Sequence, residues 1–154
     1  MATYYLDTSA LVKRYTREQG TVWIHNLMAR RYNHDLYTVR LAGPEAVAAL
    51  YRKARVGAVS AIDAARSSRA FRRHWQRRLL IVEVTAMMVD RAMDIAAVHG
   101  LRGYDAVHLA AALTVEDVRR AAGLPVITFV SADDDQRQAA LAEGLLVENP
   151  NAYP

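Results

Sequence analysis

The chain has 154 residues, of which 53% are hydrophobic and 23% charged, and it contains no cysteine. This composition predicts a single domain over residues 1–154 with one well-filled core, and it excludes disulfide scaffolds, thiolate zinc sites and cysteine nucleophiles. The longest apolar run, residues 46–51, is too short to cross a bilayer. No signal peptide is recognisable, so we expect a cytoplasmic protein that does not enter a membrane.

Hydrophobic periodicity and capping residues predict short strands that alternate with helices. In chain order, the expected elements are a strand at 3–6, helices at 8–15 and 21–30, a strand at 36–39, a helix at 43–55, a longer helix capped by Ser60, a strand at 80–84, helices at 86–99 and 105–121, a strand at 125–130, a helix at 133–143 and a strand at 145–148. This order implies right-handed crossovers and therefore an α/β fold with a parallel sheet and helices on both of its faces.

The positive charge is concentrated in one stretch of the chain. The formal net charge is +4, but residues 52–78 contain nine Lys or Arg and a single acid, Asp63, while the rest of the chain has 11 basic and 15 acidic residues. A basic block beside an acidic remainder is typical of proteins that bind polyanions. The alternative interpretation of this block is a solvated helix face.

The helix capped by Ser60 has two faces of different character. One face is formed by Ala64, Ser68, Phe71 and Trp75. The opposite face consists of the four arginines Arg66, Arg69, Arg73 and Arg77. The arginine face is a candidate nucleic-acid-binding surface, because the planar guanidinium group suits phosphate. The helical spacing of Phe71 and Trp75 favours packing in the core or in a dimer over stacking on bases.

Four acidic residues stand where predicted elements meet. Asp7 ends the first strand, and Asp133 follows the strand at 125–130, whereas Glu45 and Asp105 lie in the first turns of helices. Ligands of parallel α/β sheets bind outside the carboxyl ends of the strands, so the four could share one site. Converging carboxylates repel each other unless a cation such as Mg²⁺ neutralises them. Taken singly, each acid is also explained by helix capping or by the helix dipole.

The segments around these acids resemble the motifs of PIN-domain nucleases, especially the VapC toxins of bacterial toxin–antitoxin pairs. Residues 5–13 (YLDTSALVK) resemble the opening motif, residues 102–110 (RGYDAVHLA) the third acidic motif, and residues 130–133 (VSAD) the fourth. Glu45 within residues 44–47 (PEAV) fits the second motif, which is the least distinctive. The match extends over essentially the whole chain with the acids in the family's order.

The resemblance implies a metal-dependent endoribonuclease with a three-layer α/β/α sandwich around a central parallel sheet. It also implies that the protein is the toxin of a toxin–antitoxin pair, with an RNA substrate, a small antitoxin protein and a homodimeric state. The implied catalytic and metal-binding residues, which would hold Mg²⁺ or Mn²⁺, are Asp7, Glu45, Asp105 and Asp133. The arginine face of the helix capped by Ser60 would then contact RNA.

Three hydroxyl residues, Thr8, Ser9 and Ser131, would orient the carboxylates or a water molecule, although helix capping explains them equally well. Asp134 and Asp135 complicate the last acidic position. Asp133 is preferred because it follows Ser131 and Ala132 as in the family.

Several alternatives remain open at this stage. His108 lies one helical turn after Asp105, where it serves either as a catalytic base or as a packed helix residue. Two other functions remain open: an RNA-processing PIN nuclease without an antitoxin, and a non-catalytic module that binds nucleic acid through the arginine-rich helix. An aspartate phosphatase is disfavoured because Ser9 stands where its second Asp is needed. A phosphoacceptor receiver is disfavoured because no lysine follows a late strand.

Overall fold

The computed structural model describes residues 1–154 and has a five-stranded, all-parallel sheet at its centre. The strands are β1 (Thr3–Leu6), β2 (Asp35–Val39), β3 (Leu80–Val82), β4 (Thr128–Val130) and β5 (Leu146–Glu148). They are arranged in the order β3-β2-β1-β4-β5, so β1 is central and the direction of strand addition reverses between β1 and β4. Tyr5 is paired with Tyr37 on one side and with Phe129 on the other.

Seven α-helices surround the sheet. They are α1 (Thr8–Leu11), α2 (Thr21–Leu27), α3 (Ala42–Arg55), α4 (Ala61–Arg77), α5 (Ala86–His99), α6 (Gly103–Ala121) and α7 (Asp134–Ala142). Short 3₁₀ segments occupy Val12–Tyr15, Arg30–Tyr32 and Pro150–Ala152. None of the helices combines the length and the hydropathy that a membrane crossing requires.

The sheet separates two hydrophobic cores. Tyr5, Val39 and Phe129 face a core shared with α5, α6 and α7. Leu6 and Val130 point to the other side and pack with residues of α1–α4. Successive strand residues therefore bury opposite faces, as expected for a parallel sheet covered on both sides. The predicted three-layer α/β/α sandwich is confirmed.

Local capping explains where several helices begin. The side chains of Ser60 and Thr85 accept hydrogen bonds from the amides of Asp63 and Met88 in the first turns of α4 and α5. Gly100 ends α5 in a left-handed conformation that a residue without a Cβ adopts at little cost.

The strand predicted at 125–130 is shorter in the structure, where β4 covers only Thr128–Val130. The residues before β4 are attached to α6 instead of to a neighbouring strand. Arg119 donates from Nε to the Pro125 carbonyl at 3.1 Å, and the Glu116 carboxylate accepts from the Ile127 amide at 2.9 Å. Side chains of the preceding helix thus satisfy this backbone, which removes the need for strand pairing.

Candidate active site

A cleft of about 1040 Å³ opens beyond the carboxyl end of β1, between α3 on one side and α5 and α6 on the other. The four acids predicted from the sequence all line it, namely Asp7, Glu45, Asp105 and Asp133. Thr8 and Ser9 also line the cleft, whereas Ser131 is fully buried behind it. The strand order produces this convergence, because β1 and β4 are neighbours whose carboxyl ends lie side by side.

Asp7 is the most enclosed of the four acids, with 2% of its surface exposed. Its carboxylate accepts hydrogen bonds from the Ser9 hydroxyl at 2.8 and 2.9 Å, from the Ser131 hydroxyl at 2.8 Å and from the Ala10 amide at 2.9 Å. Burial raises the pKa of Asp7, while the nearby His108 and these hydrogen bonds partly oppose that rise. The protein thus holds a desolvated carboxylate in one orientation, which is a favourable place for a cation.

The two serines that hold Asp7 also shape the turn after β4. Ser9 Oγ accepts a hydrogen bond from the Ala132 amide at 2.9 Å, and Ser131 Oγ accepts one from the Asp133 amide at 3.0 Å. The two hydroxyl oxygens are 3.4 Å apart. Ser9 and Ser131 therefore connect the first acid to the last, and their contacts go beyond the capping of a single helix.

Glu45 is held by a chain of polar contacts that begins in the core. The Tyr5 hydroxyl is 3.0 Å from His108 Nδ1, and His108 Nε2 is 2.8 Å from Glu45 Oε1. Thr8 donates its hydroxyl proton to the same Glu45 oxygen at 3.1 Å. His108 is only 1% exposed and both of its ring nitrogens are engaged, so it is a packed helix residue that orients Glu45.

Asp105 and Asp133 share a positively charged partner. Arg102 donates from Nε to Asp105 Oδ2 at 2.9 Å, and its Nη2 is 3.8 Å from Asp133 Oδ2. Gln136 adds a second contact to Asp105 by donating from Nε2 to Oδ1 at 2.7 Å. Asp133 also caps α7, because its Oδ1 accepts a hydrogen bond from the Gln136 amide at 2.9 Å. The Arg102 side chain itself is 82% exposed at the rim of the cleft.

Asp134, the competing residue for the fourth position, points away from the cleft. Its side chain is 80% exposed and forms an ion pair with Arg137 outside the group of acids. The preference for Asp133 over Asp134 thus agrees with the direction of the side chains.

The cleft offers only hard oxygen ligands, which are the donors that Mg²⁺ and Mn²⁺ prefer. No three His, Asp or Glu side chains lie close enough together to form a complete metal site in the observed rotamers. The contacts of Arg102 explain part of this spacing, since a guanidinium group already neutralises Asp105 and Asp133. The donor set therefore fits a hard divalent cation by its chemistry, while both oxygens of Asp105 are engaged by Arg102 and Gln136.

The arginine face of α4 does not belong to the cleft. All four of its arginines are exposed, and none of them lines the cavity; they are Arg66, Arg69, Arg73 and Arg77. The basic residues that do line the cleft are Arg52 and Arg102. Sequence reasoning assigned no role to either, although Arg102 stands three residues before Asp105 within a recognised motif. RNA binding by the α4 arginines stays a prediction.

The aromatic residues of α4 pack inward, as the helical spacing predicted. Phe71 is 2% exposed in the core beneath α1–α4, and Trp75 is half-buried against that core. A Cβ atom on Gly43 would lie 3.3 Å from the Trp75 ring, so a glycine at this position lets α3 and α4 approach closely.

A second group of charged side chains surrounds His74 on α4. Arg14 donates from Nε to His74 Nδ1 at 3.4 Å, and the Tyr15 hydroxyl is 2.9 Å from the same nitrogen. Burial, followed by the charges of Arg14 and Arg73, lowers the pKa of His74. A lowered pKa in the folded state means that the unfolded chain binds a proton more readily.

We therefore expect the protein to lose stability as the pH falls below about 6.5, the ordinary value for histidine, towards the lowered value of His74. Replacing His74 by Gln should flatten this part of the profile of melting temperature against pH. Arg91→Gln, on the other side of the sheet, is the control and should leave the slope as in the wild type. An unchanged slope in His74→Gln would show that His74 does not contribute to this dependence.

A known family matches this α/β/α domain. The sequence model of the PIN domain matches residues 4–142. The chain therefore belongs to the PIN-domain family.

Two curated relatives come from Mycobacterium tuberculosis. They are Ribonuclease VapC45 of strain CDC 1551 / Oshkosh and Ribonuclease VapC49 of strain ATCC 25618 / H37Rv. Each is 37% identical to this chain over 119 residues, which is 76% of this chain and 79% of the relative.

Three solved structures show the same fold at low sequence identity. PAE2754 from Pyrobaculum aerophilum has a TM-score of 0.62 and 24% identity, with 96% of this chain and 92% of that chain covered. VapBC2 from Rickettsia felis, bound to a DNA fragment from its promoter, has a TM-score of 0.58 and 14% identity over 96% and 98% of the two chains. FitAcB from Neisseria gonorrhoeae has a TM-score of 0.53 and 14% identity over 96% and 97%.

Proposed function

We propose that this protein is the toxin of a toxin–antitoxin pair and acts as an endoribonuclease that hydrolyses RNA phosphodiester bonds. Membership of the PIN-domain family and 37% identity to two proteins named Ribonuclease VapC support this function. The observation that carries the proposal is the convergence of four carboxylates in one cleft. We also propose a cytoplasmic location, because the RNA substrate is found there.

The proposed ligands of Mg²⁺ or Mn²⁺ are Asp7, Glu45, Asp105 and Asp133. A bound divalent ion lowers the pKa of a coordinated water and offsets the charge that develops on the phosphodiester during in-line displacement. The protein's own contribution is orientation. Ser9 and Ser131 hold Asp7, whereas Thr8 and His108 hold one oxygen of Glu45 and leave its Oε2 without a protein partner.

Arg102 has two roles in this proposal. Without a metal ion it is the counter-ion of Asp105 and Asp133. With an ion held by the acids, the Arg102 guanidinium would lie at the rim of the cleft, where its planar donors would suit a phosphate of the substrate.

A metal titration tests this site. We expect Mn²⁺ to raise the melting temperature of the wild type by mass action and Asp105→Asn to respond more weakly, because one carboxylate is lost. Arg102→Gln should bind Mn²⁺ more tightly, by roughly two- to fivefold, since an exposed ion pair competes only modestly. Electron paramagnetic resonance of free Mn²⁺ gives the affinities directly.

Asp134→Asn is the matched control for this titration, because Asp134 is exposed and pairs outside the cleft. It should bind Mn²⁺ like the wild type. Equal metal affinity in Asp105→Asn and the wild type would exclude Asp105 as a ligand, and unchanged affinity in Arg102→Gln would exclude competition by Arg102.

The proposed antitoxin would silence the enzyme at the same cleft. VapBC2 and FitAcB, whose fold this chain shares, support a partner of this kind. The contacts of Arg102 show that Asp105 and Asp133 accept a guanidinium group, so an antitoxin segment that carries Arg has suitable ligands here. A homodimer stays a prediction. The exposed side chains of Met87, Met93 and Val98 on α5 provide apolar surface that a second copy of the chain could cover.

A further inference from the structure

Four arginines from different parts of the chain gather on the α1–α4 side of the molecule. They are Arg14, Arg30, Arg73 and Arg78, with His25 and His74 among them. Arg14 is 3.4 Å from both His74 Nδ1 and the His25 carbonyl oxygen. We call this group the arginine cluster.

The arginine cluster is separate from the acidic cleft, because none of its members lines that cavity. Arg30 lies in the 3₁₀ segment that leads into β2, and Arg78 contacts the carbonyl of His34, directly before β2. These residues are on the amino-terminal side of the sheet. The acids lie at the carboxyl ends of the strands, so the two sites are at opposite ends.

The cluster has little compensating negative charge. None of its four arginines forms an ion pair with an Asp or Glu within 4.0 Å, whereas Arg66 on the same helix is paired with Asp63. Asp35 opposes the lowering of the Arg78 pKa, but its carboxylate lies 3.6 Å from Arg119. Burial, and then the charges of Arg30 and Arg14, lower the pKa of Arg78. Positive charges held together in this way favour the binding of an anion.

Arg78 also has unused donors. Its Nη1 donates to the His34 carbonyl at 3.0 Å, but Nε and Nη2 are buried without a hydrogen-bond partner. Buried donors of a charged group that lack an acceptor are unfavourable. Because neither nitrogen reaches solvent, Arg78 contributes positive charge to the cluster, while the exposed Arg30 and Arg73 offer planar donors that match a phosphate.

We propose that the arginine cluster binds phosphate groups of the RNA backbone, at a site remote from the bond that is cleaved. The proposal rests on the ribonuclease function above and specifies a second contact with the substrate. It modifies the prediction for the α4 arginines, because Arg73 contributes together with Arg14, Arg30 and Arg78. Long RNA reaches both sites, whereas an oligonucleotide of a few residues occupies only the cleft.

The test is the affinity for RNA as a function of salt, with Arg30 and Arg73 both replaced by Gln. Both side chains are exposed, so the variant should keep the wild-type melting temperature. Fluorescence anisotropy with labelled single-stranded RNA of about 20 nucleotides should show roughly tenfold weaker binding. In a plot of the logarithm of the binding constant against the logarithm of the salt concentration, the magnitude of the slope should decrease by about 0.7 for each lost phosphate contact. Arg78→Gln should weaken the binding of this RNA in the same direction.

The control is Arg91→Gln/Arg120→Gln, which removes the same charge from α5 and α6 on the other side of the sheet. Supporting results are a small effect in this control and a loss of affinity that is larger for the long RNA than for one of about four nucleotides. Equal RNA affinity and an equal salt dependence in Arg30→Gln/Arg73→Gln and the wild type would overturn the proposal. A variant that loses affinity for duplex DNA but keeps its affinity for RNA would also overturn it. RNA cleavage by the wild type tests the ribonuclease function independently of this result.

Discussion

Replacing Asp7 by Asn is expected to abolish RNA cleavage while the protein stays folded. A divalent ion contributes several kcal/mol of transition-state stabilisation, and 1.36 kcal/mol corresponds to a factor of ten, so the rate should fall by about 1,000-fold or more. The fold should tolerate the change because Asn caps helices well and can still accept from the Ala10 amide.

The stability of this variant has an expected sign. Because burial raises the pKa of Asp7, its ionised form is less favourable in the folded protein than in the unfolded chain. The destabilisation is present at neutral pH and disappears as the pH falls through the raised pKa. The neutral Asn removes it, so we expect Asp7→Asn without metal to melt at the wild-type temperature or above it.

Cleavage of total RNA at saturating Mg²⁺ or Mn²⁺ measures the first effect, and thermal denaturation measures the second. Asp94→Asn is the matched control, since it makes the same chemical change at an exposed position of α5 outside the cleft. It should cleave like the wild type. Full activity in Asp7→Asn would exclude Asp7 from the active site.

Expression of this protein without an antitoxin is expected to arrest bacterial growth. An uninhibited endoribonuclease destroys RNA that the cell needs, so colony formation after induction should fall by orders of magnitude. Asp7→Asn should abolish this toxicity, whereas Asp94→Asn should retain it. Colony counts after induction, with immunoblots to show equal protein levels, give the measurement.

Normal growth during expression of a wild-type protein that cleaves RNA in vitro would contradict the toxin assignment and favour an RNA-processing nuclease. Co-expression of a small antitoxin encoded beside the toxin should restore growth. If the antitoxin acts at the acidic cleft, it should also weaken Mn²⁺ binding in vitro, because both ligands require Asp105 and Asp133.

The sequence alone determined the order and character of the elements. Strand residues such as Tyr5 and Leu6 are apolar in succession because both faces of the sheet are covered. The cap Ser60 was recognisable because a capping side chain contacts an amide only three residues away. The four acids were found for the same reason, since each lies at the end of an element that local periodicity predicts.

The tertiary structure alone decided how these acids are used. Ser131 bonds to Asp7 across 124 residues, because β4 pairs with β1 and not with β3, the strand that precedes it in the chain. The partners of Glu45 and Asp133, which are His108 and Arg102, depend on how α6 packs against α3 and α7. The arginine cluster likewise joins segments that share no local pattern. Strand order and helix packing bring together side chains that are far apart in the sequence, and interactions over a few residues do not determine either.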